Sequence, residues 1–315
     1  MEILLLCPSR VATGGTESIH RLCAALNELN HTSKILYIGG NLDNPQPERY
    51  KDYKCDFITS LPKEYSGAII FPEIWANWVL CPEYKNCIPI VNWQGVAVYS
   101  WNTPAADQGK YLHRPGVIHM TNCDYGMAFL KGQKLTPIKV CDRLEDEFFE
   151  NYSKNTPRKD VILYNPTKIK QTPFQQAVIS RCVTELGMKF LALEGFSKPE
   201  LIQLYRQHKL YIDFGLFSGR ERLPREAVLG GCCILTSNSG AAKYYEDNPI
   251  PDYYKVDIHS NPTMAMTKIL DILKNYAERC VDFDEYRRRL MQDRDNYESD
   301  VRRLYDAILD YHSGV

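Results

Sequence analysis

The segment "GRERLPREAVLGGCCILTSNSGAA", residues 219–242, sets three arginines and two glutamates around one proline. Arg220, Arg222 and Arg225 fall at the start of an expected helix, where the backbone dipole disfavours cations. Three guanidinium groups there suit a bound anion, because charge-assisted arginine–phosphate bonds are strong. The segment reads as a holder of phosphate, and of a diphosphate in particular. The next loop, "TSNSGAAKYYED", adds Ser237, Ser239 and the backbone amides of Gly240, Ala241 and Ala242 at another helix start. Two such sites on adjacent strands can share one diphosphate. Pro224 suits the first helical position, which sets Glu226 near the third. From there Glu226 either caps the helix's own amides or faces a ligand.

Two further loops follow expected strands. "ATGGTES" comes after the first, and Gly14 and Gly15 let the backbone approach a ligand at a helix N-terminus. As a plain turn, the same loop has Thr16 as N-cap and Glu17 in the favoured first turn. "YNPTKIK" begins a later α/β region, with Lys168 and Lys170 where a phosphate could lie. No GxGxxG is present, which removes the dinucleotide fingerprint and with it a Rossmann dehydrogenase. No DxD stands near a strand end, and "EDE" at 145–147 reads as a solvated face. No metal-ligand pattern is read here, and no metal is expected.

These loops require parallel sheets, because open α/β sheets place ligands beyond the carboxyl ends of their strands. "EILLLCPS" is a short apolar run typical of a strand buried on both faces. In "TESIHRLCAALNEL", Ile19, Leu22, Cys23, Leu26 and Leu29 share one helical stripe. "SKILYIGG" completes a βαβ opening. Strands are expected at 67–72, 87–93, 116–121 and 136–141. The charged stretch 142–159 marks a boundary. The alternation then restarts through "DVILYNP", "TPFQQAVISRCVTEL", "MKFLALEG", "SKPELIQLYRQH", "KLYIDFG", "LPREAVLGG" and "CCILTS", with four parallel strands. A long helix is expected from about Asp282 to Tyr311. The implied domains are 1–145, 157–282 and a helical tail, 283–315, packing back on the first.

Bulk properties limit the function. The chain has 315 residues, 44% of them apolar and 24% charged, which is ordinary globular composition. Its net charge of −1 gives no global basic field, which argues against nucleic acid as a partner. "MEILLLCPSR" lacks the basic n-region and apolar length of a signal peptide, and no window approaches a membrane span, so a cytoplasmic protein is expected. The eleven cysteines form no pair of CxxC motifs and read as reduced, buried thiols. The 21 tyrosines suit sugar or base stacking.

Two α/β domains, the Gly-Gly-x-Glu loop after strand one, and Glu221, Leu-Pro, Glu226-Ala227 and "GGCCILTS" together resemble the GT-B glycosyltransferases. The resemblance is strongest to retaining, nucleotide-sugar-dependent enzymes of the family-four type. It implies two Rossmann-like domains facing a cleft, with a long C-terminal helix crossing back. It also implies that Glu226 holds the nucleotide ribose, that Glu221 contacts the donor sugar, and that Lys168, with Arg222 or Arg225, neutralises the diphosphate. Gly14 and Gly15 would face the diphosphate and donor. "NWQG" (92–95) stands where the family carries a His-Asp pair. The expected partners are a UDP- or GDP-sugar, a glycan, lipid-linked or protein acceptor, and a membrane surface met peripherally. No cofactor is expected. Two other functions fit the same layout: a nucleotide-sugar epimerase, and a non-catalytic partner in a glycan-assembly complex.

Overall fold

The computed structural model describes residues 1–97, 109–150, 156–168 and 172–313; Lys170 lies outside them. The chain divides into two compact units. Unit 1 comprises residues 1–142 and 296–315, and unit 2 comprises residues 143–295.

Unit 1 carries strands β1 (Glu2–Pro8), β2 (Thr32–Ile38), β3 (Phe57–Ile58), β4 (Ala68–Pro72), β5 (Ile88–Trp93), β6 (Ile118–Thr121) and β7 (Ile138–Lys139). They form one sheet in the order β3-β2-β1-β4-β5-β6-β7, and every pairing is parallel. The central strands are apolar because both of their faces are covered. Leu4 and Leu6 of β1 face one core with Phe71, Val91 and Trp93. Ile3 and Leu5 face the other, with α1 (Gly14–Glu28). That second core is completed by Tyr297, Val301, Leu304 and Ile308, spaced three and four residues apart along one face of a helix. A further helix, α2 (Asp124–Gly132), precedes β7.

Unit 2 is a five-stranded sheet built from β8 (Lys159–Tyr164), β9 (Lys189–Ala192), β10 (His208–Asp213), β11 (Cys233–Ser237) and β12 (Lys255–Val256). The order is β12-β11-β10-β8-β9, again all parallel. The fifth strand, β12, was not among the four expected. Helices α3 (Pro173–Leu186), α4 (Lys198–Gln207) and α5 (Arg222–Leu229) alternate with the strands. They are followed by α6 (Pro262–Lys274), α7 (Tyr276–Arg279) and α8 (Asp284–Ser313). Tyr286 and Leu290 of α8 enter the unit 2 core. All eleven cysteines are free thiols, and all but Cys81 are buried.

Arg158 ties unit 2 together at the amino edge of its sheet. Its Nη1 donates to the carbonyls of Tyr205 and His208, both at 2.8 Å. Its Nη2 donates to that of Gly230 at 2.8 Å. One guanidinium thus serves the last turn of α4, the start of β10 and the C-cap of α5, where carbonyls lack helical partners. Hydrogen bonds to charged groups contribute roughly 1.5–3 kcal/mol each. We expect Arg158→Met to cost unit 2 about 2–4 kcal/mol in urea melts, with hydrogen exchange accelerating across residues 159–295.

Candidate functional site

Each sheet reverses its winding at one point, and in open α/β sheets ligands bind beyond the strand ends at such a point. In unit 2 that point lies between β8 and β10, since β9 follows β8 on one side and β10 on the other. The loops after these two strands carry Lys168 and the segment 214–221.

Lys168 ends a short 3-10 turn, Pro166–Lys168, and is buried. Its stem crosses Gly215, where a Cβ would lie 2.2 Å from Lys168 Cδ. Glycine is required there for close approach rather than for backbone conformation. The ammonium donates to the Leu216 carbonyl at 2.9 Å and to Glu221 Oε1 at 3.0 Å. Glu221 is the N-cap of α5, and its side chain remains 26% exposed against 8% for Lys168. The carboxylate is therefore the more accessible member of the pair.

The three arginines are all engaged within unit 2. Arg220 Nη2 lies 2.8 Å from Asp293 Oδ2. Arg222 reaches Glu145 through Nη2 and Glu226 Oε1 through Nε at 3.2 Å. Arg225 is fully buried and donates to the carbonyls of Glu221 (3.1 Å) and Arg220 (3.3 Å). The cations that crowd this helix start are thus balanced by Asp293, Glu145 and Glu226.

One sequence expectation is corrected here. Helix α5 starts at Arg222, so Pro224 is its third residue and Glu226 its fifth. Proline is tolerated at the third position because the amide there has no intrahelical acceptor. Glu226 does not cap α5. It is 4% exposed and accepts from Arg222 and from the Tyr205 hydroxyl, both at 3.2 Å.

The loop after β11 comes to the same edge. Ser237 Oγ donates to the Gly215 carbonyl at 2.6 Å and lies 2.8 Å from Ser239 Oγ. Gly240 has φ +54°, and a Cβ on it would sit 1.9 Å from the Phe217 carbonyl oxygen. The Ala241 amide donates to that same oxygen at 2.9 Å. Ser239, Gly240 and Ala241 are therefore packed directly on the 215–217 loop. The Ala241 amide is spent on the protein.

Sequence reasoning missed Asp213, the last residue of β10. Its carboxylate accepts from the Gly215 amide (3.1 Å) and the Tyr211 hydroxyl (3.0 Å). Burial pushes its pKa up to about 6; nearby Lys168 opposes the rise and Glu221 adds to it. Only its position at a strand end marked it in the sequence.

In unit 1 the winding reverses between β1 and β4. Here too a boundary is corrected. The N-cap of α1 is Thr13, paired in a capping box with Thr16, so Gly14 and Gly15 are the first two helical residues. Gln94, just after β5, donates through Nε2 to the Gly15 carbonyl at 3.2 Å. A Cβ on Gly15 would lie 2.9 Å from Gln94 Oε1. Beneath this turn, Tyr50 donates to the Thr13 carbonyl at 2.9 Å and sits 2.8 Å from Thr16 Oγ1. His20 donates from Nδ1 to the Thr16 carbonyl at 2.7 Å, so its Nε2 accepts from the Tyr37 hydroxyl at 2.6 Å. Burial lowers the His20 pKa to about 4, against the hydrogen bond to Thr16. His20 is thus a neutral strut.

Among the described residues no group of three or more His, Cys, Asp or Glu is placed to hold a metal ion, and no helix is long and apolar enough to cross a membrane.

No family model and no curated sequence matches this chain. Solved structures do. Sucrose-phosphate synthase from Thermosynechococcus elongatus superposes with a TM-score of 0.67 at 12% identity, covering 100% of both chains. WaaG, a glycosyltransferase involved in lipopolysaccharide biosynthesis, gives 0.54 at 10% identity over 98% of this chain and 99% of its own. The UDP-GlcNAc 2-epimerase of Methanocaldococcus jannaschii, solved with UDP-GlcNAc and UDP, gives 0.56 at 8% identity over 87% and 93%. At such identities the likeness establishes the fold, which is that of the GT-B glycosyltransferases.

The raised pKa of Asp213 has a measurable consequence. Between the ordinary value of 3.8 and about 6, the unfolded chain has released this proton while the folded chain keeps it. Unit 2 therefore loses stability as pH rises through that window, by up to roughly 3 kcal/mol. Urea melts of the native protein and Asp213→Asn across pH 4–7 should show the difference between them closing as pH falls. A constant difference would assign Asp213 an ordinary pKa.

Proposed function

We propose that this chain transfers a glycosyl group from a nucleoside-diphosphate sugar, with UDP or GDP as the nucleotide, to a glycan, lipid-linked or protein acceptor. One observation carries the reading: Lys168, Glu221 and the Ser239–Ala241 turn converge at the winding reversal of unit 2 in a GT-B fold. The resemblance to the family-four enzymes supports retention of anomeric configuration. It also fits a role in polysaccharide assembly in the cytoplasm, with peripheral membrane contact.

In such a transfer the bond between the sugar's anomeric carbon and the phosphate oxygen breaks, and the electron pair leaves on the diphosphate. The proposed stabiliser is the Lys168 ammonium, held in place before the reaction by Gly215 and Leu216. A preorganised cation costs no reorganisation as the charge develops. Arg220 and Arg222, each paired with a carboxylate, and the buried Arg225 hold the loop in place. The proposed transfer uses no divalent metal. Glu221, the exposed partner, contacts the donor sugar. Glu226 accepts the ribose hydroxyls, which replace its 3.2 Å bond to Tyr205.

Calorimetry tests these assignments. Nucleoside diphosphate should bind in EDTA as tightly as in magnesium. Lys168→Met should weaken the diphosphate by about 10–100-fold and leave the bare nucleoside unchanged, because a charge-assisted bond contributes roughly 1.5–3 kcal/mol. Glu226→Gln should weaken both ligands by about tenfold or more. If neither variant changes affinity, the site lies elsewhere. Incubation with donor alone separates the rival epimerase, which would interconvert the sugar without an acceptor. Nucleotide binding with no turnover of any donor would indicate a non-catalytic partner.

A further inference from the structure

Unit 2 encloses a small cavity beside the Lys168–Glu221 pair that the reading above does not use. It lies between the 217–221 loop, the loop after β11 and the first turn of α8. Arg220, Glu221, Ala242, Asn248 and Tyr286 line it, and all of them belong to the same unit. Its volume is about 10 Å³, room for one oxygen atom with its hydrogen. One wall is fixed where Gly240 and the Ala241 amide seat the loop on Phe217.

Among the described residues, two polar atoms of the lining side chains have no partner. Arg220 Nε is buried and donates to nothing, while Nη2 of the same guanidinium is held by Asp293 at 2.8 Å. Asn248 is 3% exposed, and its Oδ1 accepts nothing. Its amide is oriented through Nδ2, which donates to Thr236 Oγ1 at 3.3 Å and to the Ala242 carbonyl at 3.4 Å. The oxygen is therefore the end left over. A buried donor and a buried acceptor are both costly to leave unmet. One group that accepts from the first and donates to the second would satisfy both.

The two atoms select the chemistry of that group. A hydroxyl accepts and donates through a single oxygen, and a single oxygen is what the cavity admits. A phosphate or carboxylate oxygen only accepts, and it would set its charge against Asn248 Oδ1 and the Glu221 carboxylate. An ammonium only donates, and it would face the Arg220 cation. Water and a sugar hydroxyl share the fitting chemistry, and Glu221 favours the sugar. It lines the cavity and is the accessible member of its ion pair, with its side chain 26% exposed.

We propose that this cavity reads one hydroxyl of the donor's sugar, with Arg220 Nε donating to its oxygen and Asn248 Oδ1 accepting its hydrogen. The assignment rests on the transferase reading and narrows it. The sugar carries a neutral hydroxyl at the position that enters, and a sugar deoxygenated there is rejected, because it leaves the buried polar atoms unpaired.

The test is calorimetry on the full chain with UDP-glucose, UDP-galactose and GDP-mannose, their monodeoxy analogues, and UDP and GDP as references. For the sugar nucleotide that binds most tightly, one monodeoxy analogue should bind at least ~10-fold more weakly than its parent. Asn248→Leu keeps the branched shape and removes the acceptor. It should bring that gap below about threefold and leave UDP or GDP within about threefold of native. Urea melts report whether the variant folds. If it does not, Ala242→Ser sets a hydroxyl on the same wall and should close the gap in the same way. Monodeoxy analogues that all bind within about threefold of the parent assign the cavity to a water and overturn the proposal. So does a gap that survives in a folded variant, or failure of every sugar nucleotide to bind where UDP or GDP does. Absence of UDP and GDP binding by the native protein overturns the transferase reading instead, and this assignment with it.

Discussion

The Arg225 guanidinium has no exposed surface, and a cation withdrawn from water must be met by oxygen. It is met by the carbonyls of Arg220 and Glu221, the two residues just before its own helix begins. That contact curls the chain back over the start of α5 and sets the neighbouring side chains. Arg220 turns to Asp293, Arg222 to Glu145 and Glu226, and Glu221 to Lys168. Removing one buried partner would strand a charge, so each member holds the others in place. The order of the segment follows from desolvation rather than from helix propensity.

Sheet topology decides where this order is delivered. In an all-parallel sheet every strand presents its following loop at the same edge, and a reversal of winding leaves two of these loops diverging. In unit 2 those are the loops after β8 and β10. Gly215, after β10, and Gly240, after β11, let the chain pack closely at this edge. One admits the Lys168 stem, and the other admits the Phe217 carbonyl at an αL backbone angle. Ser237 adds a hydroxyl bridge to Gly215. The result is a floor of backbone beside the Lys168–Glu221 ion pair.

Much of this architecture was legible in the residues. Continuous apolar runs gave the long strands, and the three-and-four spacing of Ile19, Leu22, Cys23 and Leu26 gave α1. Strands β3 and β12, of two residues each, carry too little pattern to be read. Helix α6 had a signal that went unused: Asn261 caps it, Pro262 opens it, and Ala265, Met266, Ile269 and Ile272 line its buried face. Both misplaced helix starts have one cause. Leu-Pro and Gly-Gly-Thr each offer several registers, and side-chain bonds to the backbone choose among them: the local bond of Arg225 to Glu221 in one case, the long-range bond of Tyr50 to Thr13 in the other. The segment 219–226 was recognisable as a charged cluster. Its carboxylate partners Glu145 and Asp293 lie some seventy residues away on either side, and no local pattern connects them.

The two units place comparable carboxyl groups at comparable points and leave them in different states. Asp213 ends β10 and Glu73 follows β4; each strand lies across the reversal from the first strand of its unit. Burial raises both pKa values, to about 6 and about 7. Asp213 has a hydroxyl and an amide on its oxygens and lies wholly inside. Its bonds hold the loop that carries Gly215. Glu73 is met by the backbone amide of Gln94. The same sheet position thus holds a carboxyl group bonded by a side-chain hydroxyl and an amide in unit 2 and one met by backbone amides in unit 1.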